Sequence, residues 1–192
     1  MRKQTVLPIV ALIGWFGMLA LTGLQGSVAP QPFLPARLTP RPPQLQYTIA
    51  RTGPLDVAKV FGRSPACAEA SADFIQEVSN DALDAGLDPK LEASTVAVES
   101  GCNNFAVSAR GAVGLMQVMP KIWKDHYDFT DQFNLFNEHD NLRVGARILA
   151  GLVQQYGVED GARRYNGVGS GTDCSSCDPE YTKKILTLAG VQ

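Results

Sequence analysis

An all-α fold, or α with minimal β, is what this sequence predicts, and three observations carry it. From Ser64 onward the chain is punctuated in the order cap, proline, helix and glycine. Between those marks, apolar residues recur at spacings of three and four. No run alternates apolar with polar residues, and Asn166-Gly167 leads into a glycine-rich loop instead of a second strand.

Each helix has its own start and stop. Ser64-Pro65 places a cap before a proline at the first helical position. That helix is expected to run to Ala85, with Gly86 as its stop. Asp88-Pro89 repeats the signal and opens a helix to Ser100, with Leu91, Thr95 and Val98 on one face and Gly101 beyond its end. A long helix spans residues 137–156, where Leu142, Gly145, Ala146, Leu149, Leu152, Val153 and Tyr156 form the apolar stripe and Gly157 the end. A short helix follows near residues 160–165. The last begins at Asp178-Pro179, buries Tyr181, Ile185 and Leu188, and stops at Gly190. Residues 64–190 are enough for one core.

The N-terminal third reads differently. Arg2-Lys3 precedes an uncharged, mostly apolar run over residues 6–24. Its length matches the roughly 20 residues of a membrane-crossing helix. Ser27-Val28-Ala29 is a poor cleavage site because Pro30 follows directly. Residues 1–29 are therefore expected to be an uncleaved membrane anchor with a cytoplasmic N-terminus, in preference to a removed signal segment. Either exports the rest. Seven of the twelve prolines fall in residues 30–54, so residues 30–62 read as an extended tether. The folded domain is placed at residues 63–192.

Charge narrows the ligand class. No acid precedes Asp56, and residues 1–55 carry Arg2, Lys3, Arg37, Arg41 and Arg51. The remainder holds twelve basic and nineteen acidic residues, a net of −7. An acidic main domain argues against nucleic acid, whose phosphates need clustered Lys and Arg.

Residues 96–120 read VAVESGCNNFAVSARGAVGLMQVMP, and the lone acid in this run is Glu99. It falls in the last turn of its helix, where the backbone carbonyls disfavour negative charge. Apolar neighbours add desolvation, which also disfavours the carboxylate. Both effects hold the proton, as a general acid requires. Periodicity alone leaves open an exposed Glu at a fraying helix end.

The pattern around Glu99 is more specific. Glu99-Ser100, Asn103, Ala106, Ser108, Gly111-Ala112, Gly114-Leu115-Met116-Gln117 and Met119-Pro120 together resemble the signature of the lytic transglycosylases related to goose-type lysozyme. Tyr165-Asn166 resembles that family's Tyr-Asn element, and the resemblance covers residues 66–190. It implies a lysozyme-like transglycosylase domain acting on the glycan strands of peptidoglycan. Glu99 would protonate the oxygen linking N-acetylmuramic acid to N-acetylglucosamine. The sugar's own N-acetyl group would assist. Glu99, now deprotonated, would draw the proton from the muramic C6 hydroxyl and close a 1,6-anhydro ring without consuming water.

The resemblance also assigns the neighbours. Gly111, Ala112 and Gly114 would let backbone approach a sugar. Ser108, Gln117 and Asn166 would contribute hydrogen-bonding groups to the cleft, and Met116 an apolar surface. Tyr165 would orient the Glu99 carboxyl. The chain departs from the pattern at Cys102, where relatives commonly carry an aromatic, and at Val168, where a glycine is expected, which implies another path for that loop. The implied setting is the extracytoplasmic face of an inner membrane, beside wall-spanning secretion, pilus or phage machinery. A hydrolytic lysozyme on the same fold and a non-catalytic wall-binding scaffold are the rival readings.

Four cysteines, Cys67, Cys102, Cys174 and Cys177, in an exported chain favour two disulfides, with three connectivities possible. Cys67 precedes and Cys102 follows the helix of Glu99, so they are paired here, and Cys174 with Cys177. A bond from Cys102 to the Cys174 loop is the other arrangement considered. Cys174 and Cys177 with His126 and His139 match no zinc spacing, and a redox pair lacks its strand-then-helix context. No cofactor or metal is expected, and the two histidines read as surface or hydrogen-bonded residues.

Overall fold

The computed structural model describes residues 53–123, 134–167 and 177–191. The expected anchor at 6–24, the proline-rich run to residue 52, His126, Val168 and Cys174 lie outside the described residues. Among the described residues no helix is long and apolar enough to cross a membrane.

The described residues form seven α-helices and no strand: α1 (Pro54–Gly62), α2 (Ala72–Ala85), α3 (Pro89–Glu99), α4 (Pro120–Trp123), α5 (Glu138–Tyr156), α6 (Val158–Asn166) and α7 (Pro179–Ala189). Helix α3 is the hub. It packs on α1, α2 and α7, while α5 packs on α2 and α6. Its residues from Leu91 to Val96 are buried on every side. That is why its sequence shows so weak a stripe: a helix enclosed all round needs no polar face. Ser94 and Thr95 survive there because their hydroxyls donate to the carbonyls of Lys90 (2.7 Å) and Leu91 (2.9 Å).

Two boundaries differ from expectation. The helical body begins at Pro54, not at 63. Pro54 occupies the first turn of α1, where its missing N–H is not needed, and Val57, Val60 and Phe61 are buried with Phe61 stacked on Phe74 at 5.5 Å. The single helix expected over 64–85 is broken. Pro65–Cys67 makes one 3₁₀ turn, and Ser71 then caps α2 by accepting from the Phe74 N–H at 3.1 Å. The expected Cys67–Cys102 disulfide joins that turn to the segment after α3, with Cα atoms 5.4 Å apart. Closing a loop of this length stabilises by about 4 kcal/mol in the chain-entropy account. Cys177 is also disulfide-bonded.

The stops at Gly86 and Gly190, and the caps Asp88 and Asp178, fall where the sequence places them, while Asn137 caps α5 from just outside the helix it was expected to open. Helix α6 starts slightly earlier than expected, directly after Gly157.

Between α3 and α4 the chain makes a compact loop held by short bridges, Val107 with Val113 and Val113 with Val118. Asn141 of α5, fully buried, secures it. Its Oδ1 accepts from the Met116 N–H at 2.8 Å, and its Nδ2 donates to the carbonyls of Val113 (2.9 Å) and Leu135 (2.8 Å). One side chain thus satisfies the Met116 N–H and the Leu135 carbonyl and adds a second donor to the Val113 carbonyl, which also accepts from the Val118 N–H at 3.0 Å.

Candidate active site

Glu99 is the last residue of α3 and is half-buried. Its helix is fixed by burial, and the disulfide at Cys102 ties down the chain just beyond it. Tyr181 reaches it from the first turn of α7, donating its hydroxyl to Glu99 Oε1 at 2.5 Å. Burial pushes the Glu99 carboxyl up to about 7, against the smaller lowering by the Tyr181 hydrogen bond. Tyr181 is itself buried, and burial first, then the Glu99 charge, holds its phenol well above its ordinary value. It therefore remains a donor. With Oε1 accepting from Tyr181, Oε2 is the oxygen left to carry and deliver a proton.

Orientation of Glu99 was expected from Tyr165. Instead, the buried Tyr165 hydroxyl donates to the Met116 carbonyl at 2.8 Å, and Tyr181 contacts the acid. The two phenols are neighbours, since Tyr165 also helps to raise Tyr181. Tyr165 thus holds the loop that faces the acid.

Two further expectations are corrected. Met116 is fully buried and packs so closely on α5 that a Cβ on Gly145 would collide with its side chain. It fills the core and offers no apolar wall to a ligand. Gly114 is also buried, and a Cβ there would strike the Asn141 amide and, at 2.5 Å, the Leu135 carbonyl. Its φ of 77° and missing side chain admit Asn141, not a sugar. Gly111 by contrast is exposed, with open space where its Cβ would stand.

Gln117, Ser108 and Asn166 keep surface access. Gln117 donates through Nε2 to the carbonyls of Ala106 (3.2 Å) and Gly114 (3.0 Å), and its backbone takes a left-handed φ of 49°. Ser108 Oγ accepts from the Ala112 N–H at 3.0 Å. Asn166 Oδ1 accepts from the Asp178 N–H at 3.2 Å, which ties the end of α6 to the cap of the helix carrying Tyr181. Exposed Phe105 and Phe136 stack at 6.3 Å on the loop's outer side.

Residues 78–176 match the family described as the Transglycosylase SLT domain. This chain belongs to that family. A curated relative, the "Transglycosylase" of Enterobacteria phage PRD1, is 31% identical over 101 residues. Those residues are 52% of this chain but 37% of the relative, so the chain spans little more than a third of that protein's length. The solved structure of an inactive glutamate-to-glutamine mutant of the lytic transglycosylase Slt from Pseudomonas aeruginosa superposes with a TM-score of 0.51 at 22% identity. It covers 66% of this chain and 24% of that one, and shows the shared fold.

Within the SLT frame, the residues that sequence reasoning missed are Tyr181 and Asn141. Tyr181 was legible only as part of a buried stripe. A tyrosine in such a stripe needs a hydroxyl partner, which is the one hint it offered. Asn141, a fully buried amide in the apolar face of α5, offered the same hint. No ligand set for a metal surrounds Glu99 among the described residues; the grouping of metal-ligand type is Glu77, Asp81 and His139, on α2 and α5.

Proposed function

We propose that the chain is a peptidoglycan lytic transglycosylase that cleaves the bond between N-acetylmuramic acid and N-acetylglucosamine and leaves a 1,6-anhydro end. The observation that carries this reading is a single carboxyl with proton affinity near neutral, oriented by one phenol. Burial and Tyr181 are what shift Glu99, and no second carboxylate acts on it among the described residues. A retaining glycosidase needs a partner carboxylate about 5 Å away. Glu92, the other acid in the buried length of α3, stands about 10 Å along the helix axis. In this reading one group acts twice.

Glu99 begins protonated and delivers its proton from Oε2 to the glycosidic oxygen. The carboxylate that results is stabilised by the Tyr181 hydroxyl on Oε1 and becomes the base that accepts the C6 hydroxyl proton. The N-acetyl group of the sugar stands in for the missing nucleophile. The SLT family membership, the phage protein's name and the description of the Slt mutant as an inactive glutamate-to-glutamine form all accord with this. Peptidoglycan lies outside the cytoplasm, so the domain works on the extracytoplasmic side. The apolar run at residues 6–24 is its tether to the inner membrane, and wall-spanning secretion, pilus or phage machinery is the partner that a tethered wall-opening enzyme fits.

Mass spectrometry of fragments released from purified peptidoglycan tests the reading. Fragments lighter by one water than hydrolysed ones, absent with Glu99→Gln, are expected. Reducing ends would make the protein a hydrolytic lysozyme. Release at the wild-type rate by Glu99→Gln would remove Glu99 from the mechanism.

A further inference from the structure

Away from Glu99, helices α2 and α5 bring three ligand-type side chains together. Glu77 and Asp81 stand one turn apart on α2, and His139 lies in the first turn of α5. One ligand atom from each lies within 4.8 Å of the others. His139 Nδ1 forms a close ion pair with Glu77 Oε1 and lies 3.3 Å from Asp81 Oδ2. Asp81 is only 3% exposed, and the partner of its Oδ2 is that same His139 nitrogen. Glu92 of α3, fully buried, has neither carboxyl oxygen hydrogen-bonded and is close enough for the Asp81 charge to oppose its ionisation.

One imidazole does not match this arrangement. Buried polar atoms are almost always partnered, because an unpaired one costs about 1–3 kcal/mol. Here Glu92 has no partner on either buried oxygen, and Asp81 shares the one His139 nitrogen with Glu77, while His139 is 53% exposed. The surrounding charges do not resolve the deficit. Arg143 acts favourably on Asp81, but its guanidinium is shared with Asp140 at 3.2 Å. Glu138 adds negative charge beside Glu77.

We propose that Glu77, Asp81 and His139 form a binding site for a divalent transition metal of the zinc class. An imidazole nitrogen with two carboxylates is a donor set that suits zinc or manganese, whereas calcium and magnesium favour oxygen ligands throughout. A metal would part the close His139–Glu77 contact and sit about 2.0–2.2 Å from each donor. Solvent at the His139 edge supplies the remaining ligand as water. The ion would brace α2 against α5 two residues before Asn141, so its role is structural and separate from the chemistry at Glu99.

Calorimetric titration of ZnCl2 into the EDTA-stripped, tag-free full chain at pH 7.5 tests this, with thermal unfolding in parallel. One saturable zinc per chain and a Tm rise of several degrees are expected. MgCl2 and CaCl2 should do neither. His139→Ala, at an exposed position that leaves the fold intact by circular dichroism, should weaken zinc binding by more than about tenfold, and Glu77→Gln likewise. His126→Ala, at the other histidine of the chain, should leave it unchanged. Absence of saturable zinc binding, or binding that survives both His139→Ala and Glu77→Gln, overturns the proposal.

Discussion

Glu92 and Glu99 occupy the same helix about two turns apart, and burial raises the proton affinity of both. They differ in what else surrounds them. Glu92 is sealed in the hub of the fold with no hydrogen bond to either oxygen. Glu99, at the helix end, keeps surface access and one strong hydrogen bond from Tyr181. A raised proton affinity therefore does not by itself mark an acid as the proposed catalyst. Access for a substrate oxygen, and a donor that stabilises the carboxylate once the proton has gone, distinguish the two. The same burial that tunes Glu99 makes Glu92 a structural expense.

The largest effect should separate the pair outright. Glu99→Gln is expected to slow fragment release from peptidoglycan by about 10²- to 10⁴-fold, while Glu92→Gln leaves the rate near that of the wild type. Equal losses from both, in variants of native circular dichroism, would break the contrast.

Tyr181→Phe is expected to cost roughly tenfold or more in rate. The sharper readout is the pH profile. In the proposed mechanism protonated Glu99 is the active acid, so activity should fall as pH rises through about 7. The Tyr181 hydrogen bond lowers that value, so its removal should move the falling limb to higher pH. A slower enzyme with an unmoved limb would make Tyr181 a packing residue only.

Glu92→Met, in the metal-free chain, should raise stability by about 1 kcal/mol or more, because an unsatisfied buried carboxyl is exchanged for an apolar side chain of similar size. Urea unfolding measures it, and a loss of stability would mean that Glu92 has a partner the contrast omits.

The smallest effect is in the pH dependence of stability. Both glutamates have folded-state values above the ordinary 4.5. Above that pH the unfolded chain has released protons that the folded chain still holds, so their contribution falls as pH rises. For Glu99 the window runs from about 4.5 to about 7. Unfolding free energies at pH 5 and pH 8 should therefore converge in Glu92→Gln and in Glu99→Gln relative to the wild type. Profiles parallel to the wild type would show that neither acid is held neutral by the fold.

Local chemistry explains why so much was legible beforehand. Asp88-Pro89 and Asp178-Pro179, together with the stops at Gly86 and Gly190, mark ends through contacts within a few residues, so the helices they bound were read closely. The same logic placed Glu99 at a helix end among apolar neighbours. It failed at Ser71, a cap without a proline to announce it, and at Pro54, whose role changes from tether to helix start only because Val57, Val60 and Phe61 find a core to enter. It failed again at Met116 and Gly114, where a match to the family pattern did not say which side of the loop faces solvent.

The sequence by itself pointed to most of the helical elements, the family and the candidate acid, because each rests on short-range spacing or on residue chemistry; it offered Cys67–Cys102 as one of three connectivities, and the structure decided that pairing. Tertiary structure alone decided that Tyr181 donates to Glu99 and Tyr165 to the Met116 carbonyl, that Asn141 holds the loop, and that Glu77, Asp81 and His139 converge. Those contacts join residues far apart along the chain. Their geometry follows from how α2, α5 and α7 pack around α3, and no local pattern records it.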